Sequence, residues 1–93
     1  MAQLLTEEEI GERTKLLSGW TVEGAKLQFT RKFQDFIQAI DFVNKLVEPA
    51  ELAGHHPDIE ISYNKVKITL TTHDSGGLTQ NDFDLAGVIS NIQ

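Results

Sequence analysis

Hydrophobic and polar residues alternate along this chain with two periods, and the change from one to the other marks out the elements. Trp20 and Val22 flank Thr21, Glu23-Gly24 is a turn signal, and Leu27, Phe29, Arg31 and Phe33 then share one side while Gln28, Thr30 and Lys32 share the other. A second hairpin is clearer still, over Asp58 to Thr72. Ile59, Ile61 and Tyr63 alternate with Asp58, Glu60 and Ser62; Val66, Ile68 and Leu70 alternate with Lys67, Thr69 and Thr71. With Asn64-Lys65 as a two-residue turn, Tyr63 pairs with Val66, Ile61 with Ile68 and Ile59 with Leu70, so both members of each pair are apolar.

The helical period fills the gaps. Thr6 with Glu9 three residues on forms a capping box, followed by a short stripe of Ile10, Leu16 and Leu17 and a stop at Ser18-Gly19. Asp35 with Gln38 opens a second helix, whose core face is predicted as Phe36, Ile40, Val43 and Val47, joined by Ile37 and Leu46. Pro49 kinks this helix or begins a new short one, and Gly54 caps its end. Thr79 with Asp82 starts a last helix that buries Phe83, Ala86, Val88 and Ile89. The expected fold is α+β: a four-stranded antiparallel sheet with three helices packed on one face, in the order α-β-β-α-β-β-α.

With 93 residues and no Pro/Gly-rich linker or repeat, the chain reads as a single domain, 1–93. A domain of this size buries only about two-thirds of its unfolded surface, so assembly into oligomers is expected. Cysteine is absent, which excludes disulfides and thiolate metal sites and fits a cytoplasmic protein. Met1 to Leu5 has no basic region or long apolar run, unlike a signal peptide. No apolar stretch reaches the roughly 20 residues that span a membrane. A formal net charge of -6 argues against direct binding to nucleic acid or an anionic membrane and leaves a protein partner open.

The candidate chemistry lies in the histidines. His55-His56-Pro57 precedes the first strand of the second hairpin, and Thr72-His73-Asp74 follows the second. Extending the pairing above places Thr71 opposite Asp58 and His56 opposite His73, on the polar face with Glu60, Ser62, Lys67 and Thr69. Pro57, lacking an N–H, limits that extension. Glu51 stands four residues before His55, within reach of it if the helix persists. Histidine titrates near neutral pH, so several around one ligand suit a reaction needing an acid and a base on neighbouring atoms, such as elimination of water. Three competing readings stand beside this one. The histidines could bind zinc, although adjacent rings diverge. They could be ordinary loop-end residues. Asp82 is by default a helix N-terminal charge, Thr71 and Thr72 strand residues, Asp74 and Gly76-Gly77 turn residues, and Glu51 a solvated carboxylate. No Gly-x-Ser-x-Gly nucleophile motif and no phosphate-binding glycine loop is present.

The run Glu51-Leu-Ala-Gly-His55-His56-Pro57-Asp58, then Tyr63-Asn64-Lys65-Val66, Leu70-Thr71-Thr72-His73-Asp74, and Gly77-Leu78-Thr79 with Asp82 and Leu85-Ala86 resembles the pterin-4a-carbinolamine dehydratase family. Gly19-Trp20 and the stretch from Phe33 to Val43 extend the resemblance over nearly the whole chain. It implies the fold order read above and the dehydration of a 4a-hydroxytetrahydropterin to a quinonoid dihydropterin, a step in recycling tetrahydrobiopterin-type cofactor. It implies no metal and no cofactor. It implies His55, His56 and His73 as catalytic acids and bases around the pterin, and Glu51, Pro57, Thr71, Thr72, Asp74 and Asp82 as residues that bind or support the substrate. The resemblance further implies a homodimer or homotetramer. It brings two non-catalytic alternatives: a dimerisation cofactor of a transcription factor, and an assembly factor for a carbon-fixing enzyme, whose members lack the histidines retained here. Two departures stand out: Ile59 where many members carry tryptophan, and Pro49 within a segment that is often continuously helical.

Overall fold

The computed structural model describes residues 3–93; Met1 and Ala2, the start of the segment read above as unlike a signal peptide, lie outside the described residues. The elements are α1 (Glu7–Lys15), β1 (Trp20–Glu23), β2 (Lys26–Lys32), α2 (Phe36–Lys45), α3 (Val47–Ala53), β3 (Asp58–Ser62), β4 (Lys65–Leu70) and α4 (Gln80–Ser90), with a 3-10 turn at His73–Ser75 before α4. The strands form one antiparallel sheet in the order β1-β2-β4-β3. The expected α+β order is therefore the observed one, with the middle helix split in two. Pro49 is the third residue of α3, where its missing N–H would be unpaired in any case.

The caps expected at Thr6 and Thr79 are complete capping boxes, with Glu9 and Asp82 accepting from the cap backbone. The Thr6 N–H on the Glu9 carboxylate holds it below the usual glutamate value. At α2 the box is split: the Asp35 side chain accepts from Gln38 N–H, while the Gln38 side chain reaches Gln34 N–H instead.

The core lies between the sheet and the helices. Leu27, Val66, Ile68 and Leu70 on the strands meet Ala39, Phe42 and Leu46 from the middle helices and Phe83, Leu85, Ala86 and Ile89 from α4. Each large side chain buried this way contributes about 1.5–3 kcal/mol. Trp20 closes one end, stacked on Phe29 with ring centroids 4.9 Å apart and donating Nε1–H to Ser90 Oγ at 2.7 Å. Arg31 shares the inner side of β2; its guanidinium lies over the rings of Phe33 and Phe42 and donates to the Ile92 carbonyl. No helix among the described residues is long and apolar enough to cross a membrane.

Four sequence expectations are corrected here. Of the predicted face Leu46 is buried and Val43 packs against the core, but the stripe that meets the sheet is centred on Ala39 and Phe42, about one position away, and Phe36, Ile37 and Val47 are exposed. The apolar arc of α2 is wider than one sheet can cover, and the side carrying small Ala39 is the buried one. Leu16 lies at the C-cap of α1, past the helix proper, and is exposed. On α4 it is Leu85 that is buried, and Val88 turns outward.

The fourth correction concerns the second hairpin. Ile59 pairs with Ile68, Ile61 with Val66 and Ser62 with Lys65, so Tyr63-Asn64 forms the turn. The sheet faces keep their expected composition because the slip is by two residues, but Thr71 is not opposite Asp58, nor His56 opposite His73; Asp58 pairs with Thr69 and the ladder begins there. The neighbouring strand explains the slip. Asn64 continues the β4 ladder against β2: Phe33 N–H donates to the Asn64 carbonyl at 2.7 Å, and the Asn64 side-chain amide donates to the Phe33 carbonyl at 2.9 Å. Tyr63 is left in the turn with φ +53, the one positive φ among the described non-glycine residues. A positive φ at only the first turn position is the signature of a type II′ turn, which favours glycine there.

Tyr63→Gly is therefore expected to raise the unfolding free energy by about 0.5–1 kcal/mol, since it relieves left-handed strain at a largely exposed side chain. Urea denaturation measures this; a loss of stability would show that the Tyr63 ring makes contacts that outweigh the strain.

Candidate active site

The end of α3 delivers the first two histidines. Gly54 takes φ +60, His55 N–H donates to the Ala50 carbonyl, and Gly54 N–H donates to the Glu51 carbonyl. This is the bonding of a Schellman motif, with glycine in the left-handed position. The reversal turns His55 inward and leaves His56 outside. The pairing expected between Glu51 and His55 is thereby corrected: Glu51 Oε2 meets His56 Nε2, at 2.5 Å, and His55 meets Asp82.

The two pairs differ in their surroundings. His56 and Glu51 are 63% and 68% exposed, so water screens their attraction and it contributes little to stability. His55 is 13% exposed and Asp82 fully buried, with Nε2 and Oδ1 2.6 Å apart. Asp82 comes from the first turn of α4, where its Oδ2 accepts from Thr79 N–H at 2.9 Å in the capping box and from Thr72 Oγ1 at 2.8 Å. One carboxylate thus caps a helix, accepts from a hydroxyl in the loop after β4 and holds a histidine after α3. An ionised carboxylate only accepts, so hydrogen-bond logic puts the proton of neutral His55 on Nε2. Its Nδ1 has no partner among the described residues, and no described buried side-chain polar atom lacks one, so Nδ1 opens to solvent. A ring with one nitrogen fixed on a buried carboxylate and the other open can take up or release a proton there.

His73 enters by another route. Thr72 bridges Gly77 across a tight loop, and its carbonyl accepts from the amides of Ser75 and Gly76, shaping the 3-10 turn that His73 begins. Thr72 therefore touches the Asp82 network with its hydroxyl and presents His73 as its next residue. His73 and Asp74 are exposed. Thr71 is half-buried, its hydroxyl donating to the Ala25 carbonyl at 2.7 Å. Pro57, half-buried, and His56 line a shallow cavity of about 220 Å³ together with Val47, Glu51 and Ile59. Among the described residues no cluster of three or more His, Cys, Asp or Glu side chains is placed to hold a metal ion.

From the sequence Thr79 is legible only as a helix cap. Its hydroxyl lies 2.8 Å from that of Thr72, inside the network that orients His55. The signal for the cap was local; the signal for the network was Thr72 and Thr79 both being hydroxyl residues, which strand and cap preferences explain equally well.

Comparison with known proteins gives a consistent answer. The model of the Pterin 4 alpha carbinolamine dehydratase family matches residues 3–92. A Nostoc punctiforme protein provisionally named pterin-4-alpha-carbinolamine dehydratase is 75% identical over 93 residues, covering all of both chains. An Acidobacterium capsulatum protein with the same provisional name is 53% identical over 89 residues, 96% of each. Among solved structures, a Brucella melitensis protein described as a transcriptional coactivator/pterin dehydratase superposes with a TM-score of 0.86 at 37% identity, covering 91% of this chain and 93% of that one. A pterin dehydratase-like protein described as a RuBisCO assembly factor in the alpha-carboxysome shares the fold, with a TM-score of 0.65 at 24% identity over 77% of this chain and 86% of that one.

Removing the shared carboxylate leaves several buried groups unpaired at once. Asp82→Ala is expected to lower the unfolding free energy by about 3–5 kcal/mol, and Asp82→Asn by less, because the amide still offers an acceptor to Thr79 N–H. Denaturant titration of the two variants checks this. Equal, small losses would show that water replaces the carboxylate.

Proposed function

The chain belongs to the Pterin 4 alpha carbinolamine dehydratase family, and from that premise we propose that it dehydrates a 4a-hydroxytetrahydropterin to the quinonoid dihydropterin in the cytoplasm. The observation that carries the reading is His55 held through Nε2 by buried Asp82 with Nδ1 open, beside a second histidine–carboxylate pair.

The reaction removes water without oxidation or reduction. The C4a–O bond breaks, and the hydroxyl leaves as water once protonated. A ring N–H gives up its proton, and its electron pair forms the new C=N bond. In this reading His55 is the base. Nδ1 takes the proton, and the imidazolium that forms is stabilised by the Asp82 carboxylate on Nε2. His56, backed by Glu51, and His73 supply the acid that protonates the departing hydroxyl. Pro57 and Glu51 wall the pterin on one side. Backbone groups of Thr71 to Asp74 read its edge on the other. No metal or cofactor takes part.

A second reading concerns binding. Phe36, Ile37 and Val47 leave an apolar strip of α2 and α3 uncovered in the protomer. We assign this strip to contact between copies, in a homodimer or homotetramer, and it is also the surface through which a protein partner would act. The Brucella relative, described as both coactivator and dehydratase, favours keeping both roles on one chain.

Chemically generated 4a-hydroxytetrahydropterin tests the enzyme. Wild type is expected to accelerate its dehydration well beyond the spontaneous rate. Folded His55→Ala, His56→Ala and His73→Ala are expected to lose about 10²–10⁴-fold in kcat/KM, the range of a general acid or base. Folded wild type that leaves the spontaneous rate unchanged would remove the dehydratase reading and leave the binding one.

Ile37, 70% exposed, tests the assembly. Ile37→Glu is expected to reduce the oligomer to a smaller species in sedimentation while retaining the circular dichroism of wild type. An unchanged sedimentation coefficient would place the contact on another face.

A further inference from the structure

The Asp82 carboxylate is joined to its Cβ by a soft torsion with two nearly equivalent orientations. A half-turn only exchanges two equivalent oxygens, so what must be held is the carboxylate plane that aims one of them at His55 Nε2. The two donors on Oδ2 hold that plane, and they are unequal. Thr79 N–H belongs to the backbone of the α4 cap and is present in any capped helix. The second donor, the Thr72 hydroxyl, comes from a different element. Thr72 Oγ1 lies 2.8 Å from Asp82 Oδ2 and 2.8 Å from Thr79 Oγ1. It has one proton, and a carboxylate has none to give, so Thr72 donates to Asp82 and accepts from Thr79. The bonds therefore run in one direction, from Thr79 to Thr72 to Asp82, with His55 donating from the far side. Asp82 and Thr79 are fully buried and Thr72 is 9% exposed, so a missing donor is felt in a low-dielectric setting.

We propose that Thr72 is a positioning residue for His55: its hydroxyl, acting through Asp82, fixes the Nε2–H tautomer and so keeps Nδ1 as the open, proton-exchanging atom. The hydroxyl is committed inward, so its part differs from direct contact with substrate. Thr72 also joins two of the histidines. Its side chain sets His55 through Asp82, while its backbone carbonyl shapes the turn that begins at His73. The two parts separate by substitution, because Thr72→Val removes the hydroxyl and leaves the backbone and shape. The kinetic side of this inference rests on the dehydratase reading, whereas the tautomer does not.

The test has two arms. Long-range ¹H–¹⁵N NMR of the His55 ring, assigned by loss of its signals in His55→Gln, reads the tautomer without substrate. Neutral His55 is expected to be Nε2–H in wild type and in Thr72→Ser, and a mixture of tautomers in Thr72→Val. In the dehydration assay, Thr72→Val is expected to lower kcat about tenfold with KM nearly unchanged, and Thr72→Ser to recover most of it. A Thr72→Val protein with the wild-type tautomer and kcat overturns the proposal. Wild type carrying the neutral proton on Nδ1 overturns it whether or not any variant folds. Absence of dehydration by wild type removes the catalytic reading alone, and the NMR arm still decides what Thr72 does.

Discussion

A carboxylate without access to water must be matched by donors, and at Asp82 those donors come from three parts of the chain. The α4 cap supplies an N–H, the loop after β4 supplies a hydroxyl, and the residue after the α3 cap supplies an imidazole. Losing any one leaves a buried polar group short of a partner, which costs about 1–3 kcal/mol. That penalty ties the loop before β3, the loop after β4 and the start of α4 into one geometry. Both histidine-bearing segments, His55-His56 and His73, are anchored by it.

The two histidine–carboxylate pairs differ in burial. His55 and Asp82 sit where competing water is excluded, so their contact orients a ring as well as interacting with its charge. His56 and Glu51 sit in water, where the pair is weakly coupled and both side chains are free to adjust to a ligand.

The sheet behaves as a template in a similar way. β2 is paired on both sides and sets the register of β4, and β4 then sets β3. That is why Asn64 is drawn into the ladder against Phe33 even though Tyr63 is forced into a left-handed turn position. The helices show the complementary case. α2 carries more apolar surface than its own sheet can cover, and the excess lies outside the protomer core.

Element types, their order, the capping boxes at Thr6 and Thr79, the helix break near Pro49 and the Gly54 cap were all legible in the sequence, because each depends on residues within a few positions of one another. The candidate residues were legible too, through the spacing of His55-His56-Pro57, Thr72-His73-Asp74 and Asp82 in the family resemblance. Their partners were not. Pairing apolar residues across the second hairpin was consistent in either of two registers two residues apart, and only contact with β2 distinguished them. A helical reading brought Glu51 to His55, whereas the left-handed turn at Gly54 handed Glu51 to His56 and His55 to Asp82. The sequence by itself determined the elements and the chemical groups available. Tertiary structure decided which strand set each register, which apolar stripe met the sheet and which carboxylate faced which imidazole, because those choices are made by long-range contacts and by the exclusion of water, neither of which local spacing encodes.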